Sequence, residues 1–160
     1  MKQVLTLVAL LLGGCTTQPR VGDIIHPKAG EFGGTGLCLD GNGKYPTCAF
    51  SISAFPNDVT PTAVAALVSV AKDATGLPAW RVVDLVALPR GMNGKHVQFD
   101  ACRFSEDASV PVVGVFELPT RDSPEFLTAS GWAYKLELPA GKFVAVKPES
   151  VSCAAVVGED

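Results

Sequence analysis

No stretch of this sequence is rich in lysine or arginine, and its formal net charge is −3. A nucleic-acid surface needs a cationic run or patch, so that partner class is excluded and no nucleic acid is expected. No apolar run approaches the roughly 20 residues that a membrane-crossing helix requires. Charged residues make up only 18% of the chain against 48% hydrophobic ones, the reverse of the balance that keeps a chain unfolded. Histidine occurs twice. His26 precedes Pro27 in a stretch rich in glycine and proline, and His96 opens a β-prone segment. There is no G-x-S-x-G elbow, no close C-x₂-C pair, and no Lys-Ser/Thr after Gly33-Gly34-Thr35-Gly36 to make a phosphate loop. Asp40-Gly41-Asn42-Gly43 has the start of a calcium loop, but the twelfth position is Ser51 where glutamate is required. Glu106 and Asp107 are adjacent, and neighbours on an extended chain point apart rather than converge on a substrate. A non-enzymatic protein with no cofactor and no metal is the expectation.

What is present begins with an export signal. Met1-Lys2-Gln3 is a short positive start, and Val4 to Leu12 is apolar apart from Thr6. That run is too short to span a bilayer and suits the core of a signal peptide. Leu12-Gly13-Gly14-Cys15 follows. These features together resemble the lipobox of bacterial lipoproteins: an aliphatic residue, two small residues, then the cysteine that receives lipid. The resemblance covers about a tenth of the chain and implies cleavage before Cys15, acylation of that cysteine, and attachment to the membrane through its acyl chains. Several chains hold firmly, since each buried CH₂ contributes about 0.8 kcal/mol. In that class an aspartate after the cysteine favours the inner membrane. Thr16 stands there instead, so the resemblance implies a lipid-anchored outer-membrane protein facing the periplasm.

Setting Cys15 aside, Cys38, Cys48, Cys102 and Cys153 remain. An even number in an exported chain suggests two disulfides, and four cysteines allow three pairings. The turn-forming Asp40-Gly41-Asn42-Gly43 folds the chain back between Cys38 and Cys48 and favours that pair, which leaves Cys102 with Cys153. A four-thiolate zinc site is the weaker alternative, because such sites usually use close cysteine pairs.

Residues 1–14 therefore read as signal peptide, 15–36 as lipidated N-terminus and flexible tether, and 37–160 as one domain. The tether is dense in glycine and proline and would span about 25 Å as a coil. Phe50, Ile52 and Ala54 alternate with Ser51 and Ser53, a strand with its serines outward. Thr60, Pro61 and Gly76 are natural helix boundaries, and Val64, Leu67, Val68 and Ala71 fall on one helical stripe between them. Strands are expected over Trp80–Leu88, His96–Phe104, Val110–Leu118, Trp132–Leu138, Phe143–Val146 and from Ser152, with a short helix opening at Ser123-Pro124-Glu125. The expected fold is α+β: a mainly antiparallel sheet with one main helix packed on one face, in the order β-α-β-β-β-β-β.

A small exported domain with two cystines suits binding better than catalysis. The expected function is a cell-envelope lipoprotein acting as a protein-binding module, for instance an inhibitor or immunity protein against a periplasmic hydrolase or toxin. The competing reading is an accessory or assembly subunit of an envelope or secretion complex. Arg90-Gly91-Met92-Asn93-Gly94 joins two strand candidates, so Arg90 and Met92 stand as candidate binding residues at a projecting tip, with His96 and Asp100 as polar neighbours. A plain hairpin with Met92 folded back on the sheet, and a solvated face carrying His96, Gln98 and Asp100, are the competing readings at those positions.

Overall fold

The structure, a computed structural model, describes residues 19–26, 36–39, 44, 46, 48–55, 60–72 and 78–155. The Leu12–Cys15 signal and the Asp40–Gly43 turn lie outside the described residues. Among the described residues twelve strands are formed: β1 Ile24–Ile25, β2 Gly36–Leu39, β3 Phe50–Phe55, β4 Ala63–Lys72, β5 Pro78–Ala87, β6 Lys95–Gln98, β7 Cys102–Phe104, β8 Val112–Glu117, β9 Phe126–Thr128, β10 Ala133–Glu137, β11 Lys142–Ala145 and β12 Val151–Ala154. All pairings are antiparallel. They build three sheets: A in the order β1-β5-β4-β3-β2, B in the order β11-β10-β8-β6, and C in the order β7-β12-β9.

The expected α+β class is therefore corrected to a nearly all-β fold. The segment read as the main helix is β4, the middle strand of sheet A. Val64, Ala66 and Val68 pair with Ala54, Ile52 and Phe50 on one face, while Ala65 and Leu67 pack with Trp80 and Val82 on the other. A strand buried on both faces carries apolar residues at every position, so a period of 3.6 fits it as well as a period of two. The β-branched valines decide for the strand. Ser51 and Ser53 share that second face and are 3% and 2% exposed, so they are not the solvent-facing positions that alternation suggested. The expected short helix after Ser123 is likewise β9. Within the expected tether, Ile24 and Ile25 pair with Arg81 and Trp80, and the Gly22 amide donates to the Val82 carbonyl at 2.8 Å.

The single strand expected over His96–Phe104 is two strands in different sheets. Between them Ala101 adopts φ 50°, and the Asp100 carboxylate accepts its amide at 2.8 Å. This left-handed residue swings the chain from sheet B to sheet C.

The sheets stack in three layers with B in the middle. Val113 and Val115 of β8 face sheet A and pack among Leu39, Phe50, Ile52 and Val64. Val112 and Phe116 face sheet C and pack against Phe104, Val151 and Cys153. Cys102 and Cys153 sit opposite each other on β7 and β12 and are bonded, as are Cys38 and Cys48.

Layers A and B are tied together where β5 meets β11. A register shift around Val83 in β5 aims Asp84 at β11. Its carboxylate accepts the Phe143 amide at 2.8 Å and pairs with Lys142 at 3.6 Å. Gly141 has φ 65°, and a Cβ there would meet Val83 Cγ2 at 2.6 Å, so only glycine lets the β10–β11 turn approach this closely. Asp84→Ala leaves the Phe143 amide without its acceptor and is expected to lower stability by about 1–3 kcal/mol. Urea denaturation of the variant checks this, and an unchanged midpoint refutes the latch.

Candidate functional site

On the opposite side no such tie is made among the described residues. β2 ends sheet A, β6 ends sheet B, and no strand bridges them among the described residues. Three hollows follow this side. The first, about 350 Å³, lies between Thr60-Pro61 and β6 and takes in Met92, Val97 and Phe99. The second, about 270 Å³, lies between Leu37-Cys38-Leu39 and the Phe99–Cys102 segment. The third, about 930 Å³, lies beyond it against Phe104, Leu136 and Leu138, beside Glu106 and Asp107. The first two share Phe99, and the last two share Ser109, Val110 and Pro111. The three hollows thus adjoin one another in a row, referred to below as the furrow. Leu37, Met92, Val97 and Phe99 are half-buried against the A/B core, so its floor is the unclosed margin of that core. A compact ligand would fill one hollow, whereas the run of three suits a chain molecule.

Of the expected tip residues Arg90 and Met92 and their expected polar neighbours His96 and Asp100, Met92 and His96 both border the first hollow. Arg90 is exposed on its loop. Met92 folds inward onto the core and lines the furrow. His96 stands on the other face of β6, opposite Phe116, with ring centroids 6.1 Å apart. Asp100 is exposed and caps the sheet-switching turn. Of these, Met92 contributes its side chain to the furrow floor. Sequence reasoning missed Leu37, Val97 and Phe99 as site residues, because their role follows from β2 and β6 being edges.

His96 is held in a structural bracket. Gln98 Nε2 donates to the Asp100 and Ala154 carbonyls, both at 3.1 Å, which leaves Gln98 Oε1 facing His96 Nε2 at 3.1 Å. A carbonyl oxygen only accepts, so Nε2 carries the proton and a neutral ring has its lone pair on Nδ1. Nδ1 is buried with no partner among the described residues. The bracket joins β6 to β12 and so helps hold sheet B to sheet C.

A second cluster has the distances of a serine–lysine pair. Lys95 Nζ donates to Ser130 Oγ at 3.0 Å and pairs with Glu117 at 3.1 Å. A lysine base needs a free lone pair, and this ammonium is engaged as a donor to the hydroxyl while ion-paired to a carboxylate. The Ser130 amide is also used, donating to the Val115 carbonyl at 2.7 Å, so it offers nothing to an oxyanion. The cluster ties β6, β8 and the loop before β10. No group of three or more His, Cys, Asp or Glu among the described residues is placed to hold a metal ion.

Charge is uneven along the furrow. At its wide end Lys135 is paired with Glu137 at 3.1 Å. Glu106 and Asp107 have no ion-pair partner among the described residues. The Ser109 hydroxyl, at 2.7 Å, and then the Ser109 amide, at 2.9 Å, hold the Asp107 carboxyl below its ordinary range. Lys44 also lines this hollow and is engaged in an interaction of its own, so the carboxylates left without an ion-pair partner among the described residues are those of Glu106 and Asp107. No known protein family, curated protein or solved structure matches the chain.

Proposed function

We propose that this chain is a lipid-anchored cell-envelope protein that binds another protein along the furrow between β2 and β6. The carrying observation is the pair of unbridged strand edges flanking an apolar, elongated furrow, with the opposite side of the same sandwich latched by Asp84. Unpaired edges over exposed core are a liability unless something covers them. The inward packing of Met92 shifts the contact from an inserting loop to the furrow itself. An inhibitor or immunity protein seated on an envelope hydrolase or toxin remains the sharper form of this function. The anchor rests on Leu12-Gly13-Gly14-Cys15 behind its apolar run.

Two experiments test it. Cys15→Ser in the full-length chain is expected to give an uncleaved or mislocalised product, and mass spectrometry of membrane-fraction protein with an unmodified Cys15 overturns the anchor. A photo-crosslinking residue in place of Val97 or Phe99, in the native cells, is expected to trap discrete protein adducts, while the same residue at Glu149 does not. Adducts from Glu149 alone, or none from the furrow, overturn the binding surface.

A further inference from the structure

We propose that the furrow admits an extended segment of a partner protein as an added strand on β2, with a basic residue of that segment against Glu106 and Asp107. The proposal rests on the furrow being a partner site and specifies what enters it.

The backbone supplies the first argument. In an antiparallel ladder, alternate residues turn their N–H and C=O to the same neighbour. The Ser69 amide donates to the Ala49 carbonyl at 2.9 Å, which sets the phase between β3 and β4. Ser51 and Ser53 then bond towards β4, while Phe50 and Ile52 bond towards β2 and engage Leu39 and Leu37. The amide groups left on the outer edge of β2 are those of Gly36 and Cys38. On β6 the Leu118 amide donates to the Gly94 carbonyl at 3.0 Å, and the same alternation turns the Val97 amide group to the outside. Exposed edges are normally protected by lysine, proline or a bulge. Gly36-Leu37-Cys38-Leu39 has no charge and no proline, and its register with β3 is unbroken.

Side chains supply the second argument. A strand laid along β2 sends alternate residues down and the others out to solvent. Downward residues meet Leu37, Val97 and Phe99, so they are apolar. At the wide end, which Lys44 also lines, Glu106 and Asp107 have no ion-pair partner among the described residues, so a cation of the incoming segment has carboxylates to meet there. A second copy of this chain is disfavoured on the same ground: its β2 would enter with no basic residue to meet that lip.

The test uses the soluble mature domain with both disulfides intact and a capped synthetic peptide of alternating valine and threonine ending in two lysines. Saturable shifts of the Gly36, Cys38, Val97 and Phe99 amide resonances are expected, with slowed hydrogen exchange at Gly36 and Cys38. N-methylation of alternate peptide amides is expected to abolish binding. Replacing the two lysines by glutamates, or introducing Glu106→Lys with Asp107→Asn, is expected to weaken it at least tenfold. No binding up to millimolar peptide, equal binding of the N-methylated peptide, or shifts confined to another face overturns the proposal. So does sedimentation showing a dimer that buries the furrow. Crosslinks from Val97 and Phe99 without peptide pairing would remove the added strand and leave the partner surface standing; failure of both removes both.

Discussion

A domain with alanine at both Cys102 and Cys153 is expected to lose about 4 kcal/mol of stability, against about 3 kcal/mol for the Cys38–Cys48 pair. The difference follows from loop length. The first bond closes a separation of 51 residues and the second one of 10, and a crosslink removes more freedom from the unfolded chain when it closes a longer loop. Position adds to this. Cys153 is 0% exposed, lies on the central strand of sheet C, and packs with Phe104, Phe116 and Val151. Sheet C is made of short strands, two of them three residues long, so it has little ladder of its own to hold β7 once the bond is gone. Against a typical total of about 5–15 kcal/mol, such a loss leaves much of the population unfolded on warming. Urea titration of the two double-alanine variants makes the comparison. A smaller cost for Cys102–Cys153 than for Cys38–Cys48 defeats the loop-length account. Peptide mapping without reductant checks the pairing, which a peptide joining Cys38 to Cys102 refutes.

Where one face of a strand is wetter than the other, the sequence announces it. Trp132–Leu138 alternates clearly, Trp80–Leu88 is β-prone and rich in valine, and the two coincide within a residue or two with β10 and β5. The turn residues between Cys38 and Cys48 point to the pair that is found. The failures share a different cause. β4 is buried on both faces from Ala63 to Leu67 and continues apolar beyond, so Val64, Leu67, Val68 and Ala71 present a helical stripe that no helix uses. The break at Asp100-Ala101 depends on one left-handed residue, and alanine does not advertise that conformation. The furrow is further still from the sequence. Leu37, Val97 and Phe99 look like any core positions, and they become site residues only because β2 and β6 end their sheets without meeting. Which strands are edges is a property of topology, and local pattern carries no record of it. Conversely, Met92 is conspicuous in a polar turn, yet the inter-layer core offers its side chain a better place than solvent.

Phe116→Ala is expected to cost about 3–5 kcal/mol, the usual range for deleting a buried aromatic ring. Phe116 is 0% exposed on β8, the strand that carries core residues on both faces, and its ring fills the layer between sheets B and C. The neighbouring Gly114 lacks a side chain for the same reason. A Cβ there would stand 2.9 Å from Ala129 Cβ and 2.9 Å from Phe116 Cε2, and neither neighbour is a flexible surface group. Gly114→Ala is therefore expected to cost about 1–3 kcal/mol by overpacking. The two changes should not add. Removing the ring opens the space that the new methyl needs on one side, while the Ala129 contact persists on the other. The double variant is expected to be more stable than the sum of the singles by about 1 kcal/mol. Denaturant titration of the four proteins closes this cycle. Strict additivity would place the whole cost of Gly114→Ala at Ala129 and remove Phe116 from the account of why β8 carries a glycine at its centre.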